Sequence, residues 1–183
     1  MRRLGAIIAF AFILGVGGGA SAQAPMPACT LEGRHPPAAD ITKLRTAVEG
    51  GFLFQTLQHR VGAPLSCRVV DLEPPNVSIV WSFAKEAAFT VDSSPGAGMV
   101  RHTAVMPGLS NGEALGLLKA GEKRFASPDG CGIDWSTPVR ETKSAWIAGG
   151  TNDVVYLGKF CNCQARITYR GQNVIGLTMG LAC

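Results

Sequence analysis

The chain has 183 residues, of which 46% are hydrophobic and 16% are charged, and its formal net charge is +4. This is the length of one ordinary domain, and such a chain is able to bury a hydrophobic core of its own. The net charge is small and no run of like charge occurs, which argues against a nucleic-acid-binding track or a basic membrane-binding patch.

The N-terminus has the three-part pattern of an export signal. Arg2 and Arg3 are followed by an apolar run over 4–16, and the small residues Ala20-Ser21-Ala22 form a cleavage site. A membrane anchor is disfavoured because a span needs about 20 apolar residues. A lipoprotein is disfavoured because Cys29 lies far from the apolar run. We therefore predict a signal peptide over 1–22, cleavage near Ala22, and a periplasmic or secreted protein with no membrane span after cleavage.

The rest of the chain divides into a short lead-in and one domain. Residues 23–39 contain four prolines and are predicted to be extended, and residues 40–183 are predicted to form a single globular domain. Asp40 is a candidate helix N-cap, and Ile41, Leu44 and Val48 have helical spacing up to Gly50-Gly51. The next segment, 52–61, fits either a helix or a strand.

After Cys67 the hydrophobic period becomes two. Residues 77–83 and 88–92 are predicted to form a hairpin, and 99–106 another strand. Ser110 and Glu113 form a capping box for a helix that should end near Phe125. Four further strands are predicted at 145–148, 154–161, 163–170 and 174–183. This order predicts an α+β fold with a mainly antiparallel sheet and two short helices.

The register of the C-terminal hairpin follows from its two apolar faces. Ala165 and Ile167 alternate with polar neighbours, as do Leu177 and Met179 in the next strand. Since a one-residue slip would turn one apolar set outward, opposed residue numbers must have an even sum. We therefore predict a three-residue loop at 171–173. This register places Cys161 opposite Cys183.

Six cysteines follow the export signal, and an even number in an oxidising compartment predicts three disulfides. The hairpin register favours Cys161–Cys183. The partner expected for Cys163 is then Cys131, which leaves Cys29–Cys67 to hold the lead-in.

Two groups of residues suggest alternative functions for this domain. Cys161 and Cys163 are spaced so that they could serve thiol-redox chemistry or bind a soft metal ion. A hydrolase would need His102 to meet a serine and a carboxylate, and the candidates are Ser93, Ser94 and Ser110 with Asp92. No nucleophile-elbow motif supports the hydrolase.

Trp135 and Trp146 lie in turn-rich sequence and are candidates for a binding surface, although burial is the commoner fate of tryptophan. No catalytic set, cofactor motif or resident metal site emerges. We therefore expect an exported, non-enzymatic binding or interaction protein, whose partner is an envelope component or another protein. The hydrolase and the thiol or metal protein remain open as alternatives.

Overall fold

A computed structural model of the chain describes residues 25–125, 131–141, 143–144, 146–159 and 162–182. The predicted signal peptide therefore lies outside the described residues. The described helices are α1 (Ala38–Glu49), α2 (Phe52–Val61) and α3 (Asn111–Phe125). The described strands are β1 (Cys29–Leu31), β2 (Ser66–Val70), β3 (Val77–Ser82), β4 (Ala88–Ser94), β5 (Met99–Leu109), β6 (Val139–Glu141), β7 (Asn152–Leu157), β8 (Gln164–Arg170) and β9 (Asn173–Ala182).

The first helix begins earlier than its sequence pattern predicts. Pro37 is the N-cap residue, and the side chain of Asp40 makes no cap hydrogen bond. The prediction of Asp40 as the N-cap is therefore wrong. Proline suits the start of a helix because its fixed φ matches the helical value. Asp40 instead lies in the first turn, where a carboxylate interacts favourably with the helix dipole.

The ambiguous segment 52–61 is a helix, so the described residues contain three helices rather than two. Leu53, Phe54 and Leu57 are buried, with the i, i+1, i+4 spacing of one helix face. The Phe54 ring makes edge-on contacts with the rings of Trp81, Phe83 and Phe89 on the sheet. Tertiary packing against these aromatic side chains decides between the two local possibilities.

The third helix has the predicted start. The carboxylate of Glu113 accepts hydrogen bonds from the backbone N–H and the hydroxyl of Ser110, at 2.8 and 2.7 Å. The Ser110 Oγ accepts a hydrogen bond from the Glu113 N–H at 3.3 Å. These bonds hold the pKa of Glu113 below its usual value. The capping box is thus confirmed, and the helix extends to Phe125, the last described residue of this segment.

All nine strands form one sheet in the order β1-β2-β3-β4-β5-β9-β8-β7-β6. The β1–β2 pair is parallel and the other pairings are antiparallel, so the sheet is mixed but mainly antiparallel. The predicted extended lead-in contains β1. The predicted strand at 145–148 is wrong for its described residues, because 146–148 form bends and a turn between β6 and β7.

The β8–β9 ladder has the predicted register but reaches it differently. Ile167 pairs with Leu177 and Ala165 with Met179, as the apolar faces require. The predicted three-residue loop is wrong, because Arg170 pairs with Asn173 and the connection has two residues. A bulge between Thr168 and Tyr169 on one strand and Val174 and Gly176 on the other restores the register.

The topology divides the chain into two similar halves. Helix α2 precedes the meander β2–β5, helix α3 precedes the meander β6–β9, and the last strands of the two meanders pair antiparallel. Leu53, Arg60, Pro64 and Cys67 recur at one constant spacing as Leu117, Arg124, Pro128 and Cys131. Arg60 contacts Glu113 at the start of α3, and Arg124 contacts Phe52 at the start of α2. An arginine near the end of each helix therefore contacts the start of the other helix.

Two disulfides are present in the described residues. Cys29 and Cys67 are directly paired across β1 and β2, with their Cα atoms 4.3 Å apart. Cys131 and Cys163 join the segment after α3 to the start of β8, with a Cα separation of 5.6 Å. Cys161 and Cys183 lie outside the described residues, so their predicted bond remains a prediction.

Candidate ligand-binding cleft

Helix α1 forms one wall of a cleft on the helical face of the sheet. Ile41 and Val48 are buried against the sheet. The Trp81 indole N–H donates a 3.1 Å hydrogen bond to Glu49, which ties the end of the helix to β3. Leu44 is partly buried and Ala47 is exposed, and both line the cleft. The helix is therefore anchored along one side while its neighbouring side remains open.

The outer part of the cleft lies at the N-terminal end of α1 and has a volume of about 760 Å³. Its apolar wall includes Ile41, Leu44 and Val77. Five prolines also line it, namely Pro36, Pro37, Pro74, Pro75 and Pro95. Proline has a fixed φ and loses little conformational freedom on binding, so these rings make a rigid rim. Asp40 and Lys43 are the charged residues of this part.

The inner part has a volume of about 320 Å³ and adjoins the outer part at Leu44 and Ala47. Its floor is built by Val100, His102 and Met179, from the paired strands β5 and β9. Gly121 of α3 also lines it, and a side-chain carbon at this position would lie 2.8 Å from the Met179 sulfur. A glycine here therefore keeps the cavity open where α3 approaches the sheet.

His102 is the polar side chain of the inner floor. It lies directly between Val91 and Met179 in the sheet, and the Phe89 ring packs edge-on at 5.7 Å. Burial lowers the pKa of His102 from 6.5 to about 4. The imidazole is therefore neutral at pH 7, which matches the apolar walls around it.

The remaining hydrolase candidates are distributed over both faces of the sheet. Asp92 pairs with Arg101 in the β4–β5 ladder, and its carboxylate accepts a 2.8 Å hydrogen bond from that arginine. Since neighbouring residues of a strand alternate in direction, Asp92 lies on the face opposite His102. Ser94 shares the face of Asp92 and donates a 2.5 Å hydrogen bond to Asn76. The structure therefore does not bring Asp92 or Ser94 together with His102.

The other two serines of the hydrolase candidate set are Ser93 and Ser110. Ser93 lies on the helical face, but it lines the outer cavity whereas His102 lines the inner one. Ser110 is engaged with Glu113 in the capping box. Asp92, the carboxylate of the candidate set, lies on the face opposite His102, so the structure does not assemble these candidates as a triad.

The two tryptophans proposed for binding are both partly buried. Trp135 donates a 2.9 Å hydrogen bond to Glu122 and packs on Tyr156, with the ring centres 5.1 Å apart. Trp146 lies over the face of the sheet that carries Asp92 and Arg101, which is called the polar face below. The Arg101 guanidinium is 3.8 Å from the centre of the Trp146 ring. Neither residue lines the cleft along α1.

The thiol-redox or metal alternative depends on Cys161 and Cys163. Cys163 is bonded to Cys131, and Cys161 lies outside the described residues. Within the described ranges, no three His, Cys, Asp or Glu side chains come together as a metal site requires. None of the helices in this part of the chain has the length and apolarity needed to cross a membrane.

The sequence patterns do not indicate the cleft itself. Its residues come from distant segments and belong to helices, strands and proline-containing loops. The clustered prolines and Gly51 are the sequence signals that mark parts of its lining. Comparison of the chain with protein-family models, curated proteins and solved structures finds no match.

Proposed function

We propose that this protein is an exported binding protein that holds a small, mainly apolar ligand in the cleft along α1 and performs no chemistry on it. The observation that carries the proposal is the pair of adjoining cavities, of about 760 and 320 Å³, on the helical face. Ligand sites are typically concave and mostly apolar, with a few polar groups that fix orientation.

The walls of the cleft favour binding because they are fixed before a ligand arrives. The bond from Trp81 to Glu49 holds one end of α1, and the prolines stiffen the other end. A rigid site loses less conformational entropy when it is filled. The placement of the hydrolase candidates favours binding over catalysis, since Asp92 and Ser94 lie on the face of the sheet opposite His102.

Export is supported by the N-terminal pattern of residues 1–22 and by the two disulfides, since disulfides persist in oxidising compartments. In such a compartment the protein would capture a ligand released from the envelope or from the surroundings.

The neutral fluorophore N-phenylnaphthylamine provides a test, because its emission rises in an apolar cavity. We expect saturable binding with one site per chain. Ala47→Phe should weaken it at least tenfold, since this exposed residue lines both cavities and a phenyl ring would fill their junction.

The matched control is Ala39→Phe, which changes another exposed alanine of α1 that lines neither cavity. It should bind the fluorophore as the unmodified protein does. An unmodified protein that gives no saturable signal would refute the proposal, as would equal binding by the two variants.

A further inference from the structure

The inner cavity shares two of its residues with a basic surface concavity. Phe52 and Arg124 line both the inner cavity and a shallower concavity of about 540 Å³. The concavity follows the exposed side of α2 and also includes His59 and Arg60. The apolar inner cavity therefore adjoins a cationic surface.

Arg124 is placed at the boundary between these two environments. It is exposed, and its guanidinium carbon lies 4.8 Å from the centre of the Phe52 ring. Stacking on this ring orients the planar guanidinium and leaves its edge available for hydrogen bonds. Among the described residues no salt bridge involves Arg124, whereas the equivalent Arg60 lies 3.4 Å from Glu113.

We propose that the ligand is a single-chain amphipathic anion, with its chain in the cleft along α1 and its carboxylate or phosphate head group on Arg124. This inference rests on the proposed function and specifies the class of ligand. Arginine binds both kinds of head group through paired hydrogen bonds. A head group at the exposed rim keeps its hydration on one side, whereas an anion inside the apolar cavity would lose its hydration entirely.

The dimensions of the cleft agree with this class of ligand. Residues 40–51 extend from the outer cavity to the inner one, and a helix rises 1.5 Å per residue, so the cleft follows roughly 15 Å of helix. This length accommodates an acyl chain of medium length. Lys43 and Asp40 at the far end carry opposite charges and together give no preference for a second anion.

Ligands that share one chain but differ in head group provide the test. Decanoate, decyl phosphate and the uncharged decanol would each compete with N-phenylnaphthylamine, below the concentration at which micelles form. We expect the two anions to bind about three- to tenfold more tightly than decanol at low ionic strength, and this preference should shrink as salt is added.

Arg124→Gln should remove the preference, so that the two anions bind no more tightly than decanol does. The control Lys123→Gln removes a neighbouring exposed cation of α3 that lines none of these cavities, and it should keep the preference. Comparison of decanoate with decyl phosphate then shows which head group the site favours.

The outcomes separate the two proposals. If decanol binds as tightly as the anions, or if Arg124→Gln keeps the preference, the head-group site is refuted while the binding function stands. If none of the three ligands displaces the bound fluorophore, the proposed class of ligand is refuted, whereas the binding function itself fails only if the fluorophore does not bind saturably.

Discussion

At the scale of single residues, His102 shows how burial sets the chemistry of the cleft. An imidazole that carries a proton is costly to bury, and the floor around it is formed by Val100, Met179 and the edge of Phe89. The residue therefore stays neutral through the physiological range.

This neutral state makes stability depend on pH. The pKa of His102 is about 4 in the folded protein and about 6.5 when the chain is unfolded. Between these values the unfolded chain binds the extra proton, so stability should fall as pH decreases from 6.5 to 4, by up to about 3 kcal/mol.

Urea unfolding at a series of pH values measures this slope, and His102→Gln is the control because glutamine does not titrate there. The difference in the free energy of unfolding between the two proteins should change with pH only over this interval. A constant difference would show that His102 titrates normally in the folded state.

At the scale of elements, three strands are joined by one arginine on the polar face. Arg166 of β8 is 10% exposed, and its Nη1 lies 2.5 Å from Glu141 of β6 and 3.4 Å from Asp153 of β7. Asp153 is fully buried, and its Oδ1 has no hydrogen-bond partner among the described residues. Glu141 is 41% exposed.

The two carboxylates should therefore contribute very differently to stability. Asp153→Ala leaves the largely buried Arg166 without its buried partner, and we expect a loss of about 3–5 kcal/mol in the free energy of unfolding. Glu141→Ala removes the more exposed partner and should cost about 0–1 kcal/mol. Chemical denaturation of both variants makes the comparison, and similar losses would contradict it.

At the scale of the whole molecule, the two halves meet at the β5–β9 pair, and α2 and α3 cross-contact through Arg60 and Arg124. The cleft lies beside this meeting point, since its inner floor comes from both central strands. Among the described residues of the second half no helix corresponds to α1, and α1 supplies the wall that turns the junction into a cleft.

Maturation of the chain provides a prediction at this scale. Protein recovered from its natural compartment should begin at Gln23 and contain three disulfides, including Cys161–Cys183, because an exported chain meets an oxidising environment. Intact mass and peptide mapping without reduction measure both features. A chain that retains Met1 and reactive thiols would contradict export.

Local chemistry and hydrophobic period determine much of the fold. The capping box of α3, the β3–β4 hairpin and the faces of β8 and β9 follow from residues close together in the sequence. These features are predictable because side-chain alternation and helix capping act over a few residues. The even-sum register of β8 and β9 also follows, although the bulge that achieves it does not.

Only the tertiary structure decides the rest. It makes 52–61 a helix, because the aromatic rings on β3 and β4 bury Phe54, and it separates Asp92 from His102 on opposite faces of the sheet. The cleft belongs to this second group, since its walls come from segments far apart in the chain and its space depends on where α1 and α3 lie. A pattern within one segment carries no information about the distance between two segments.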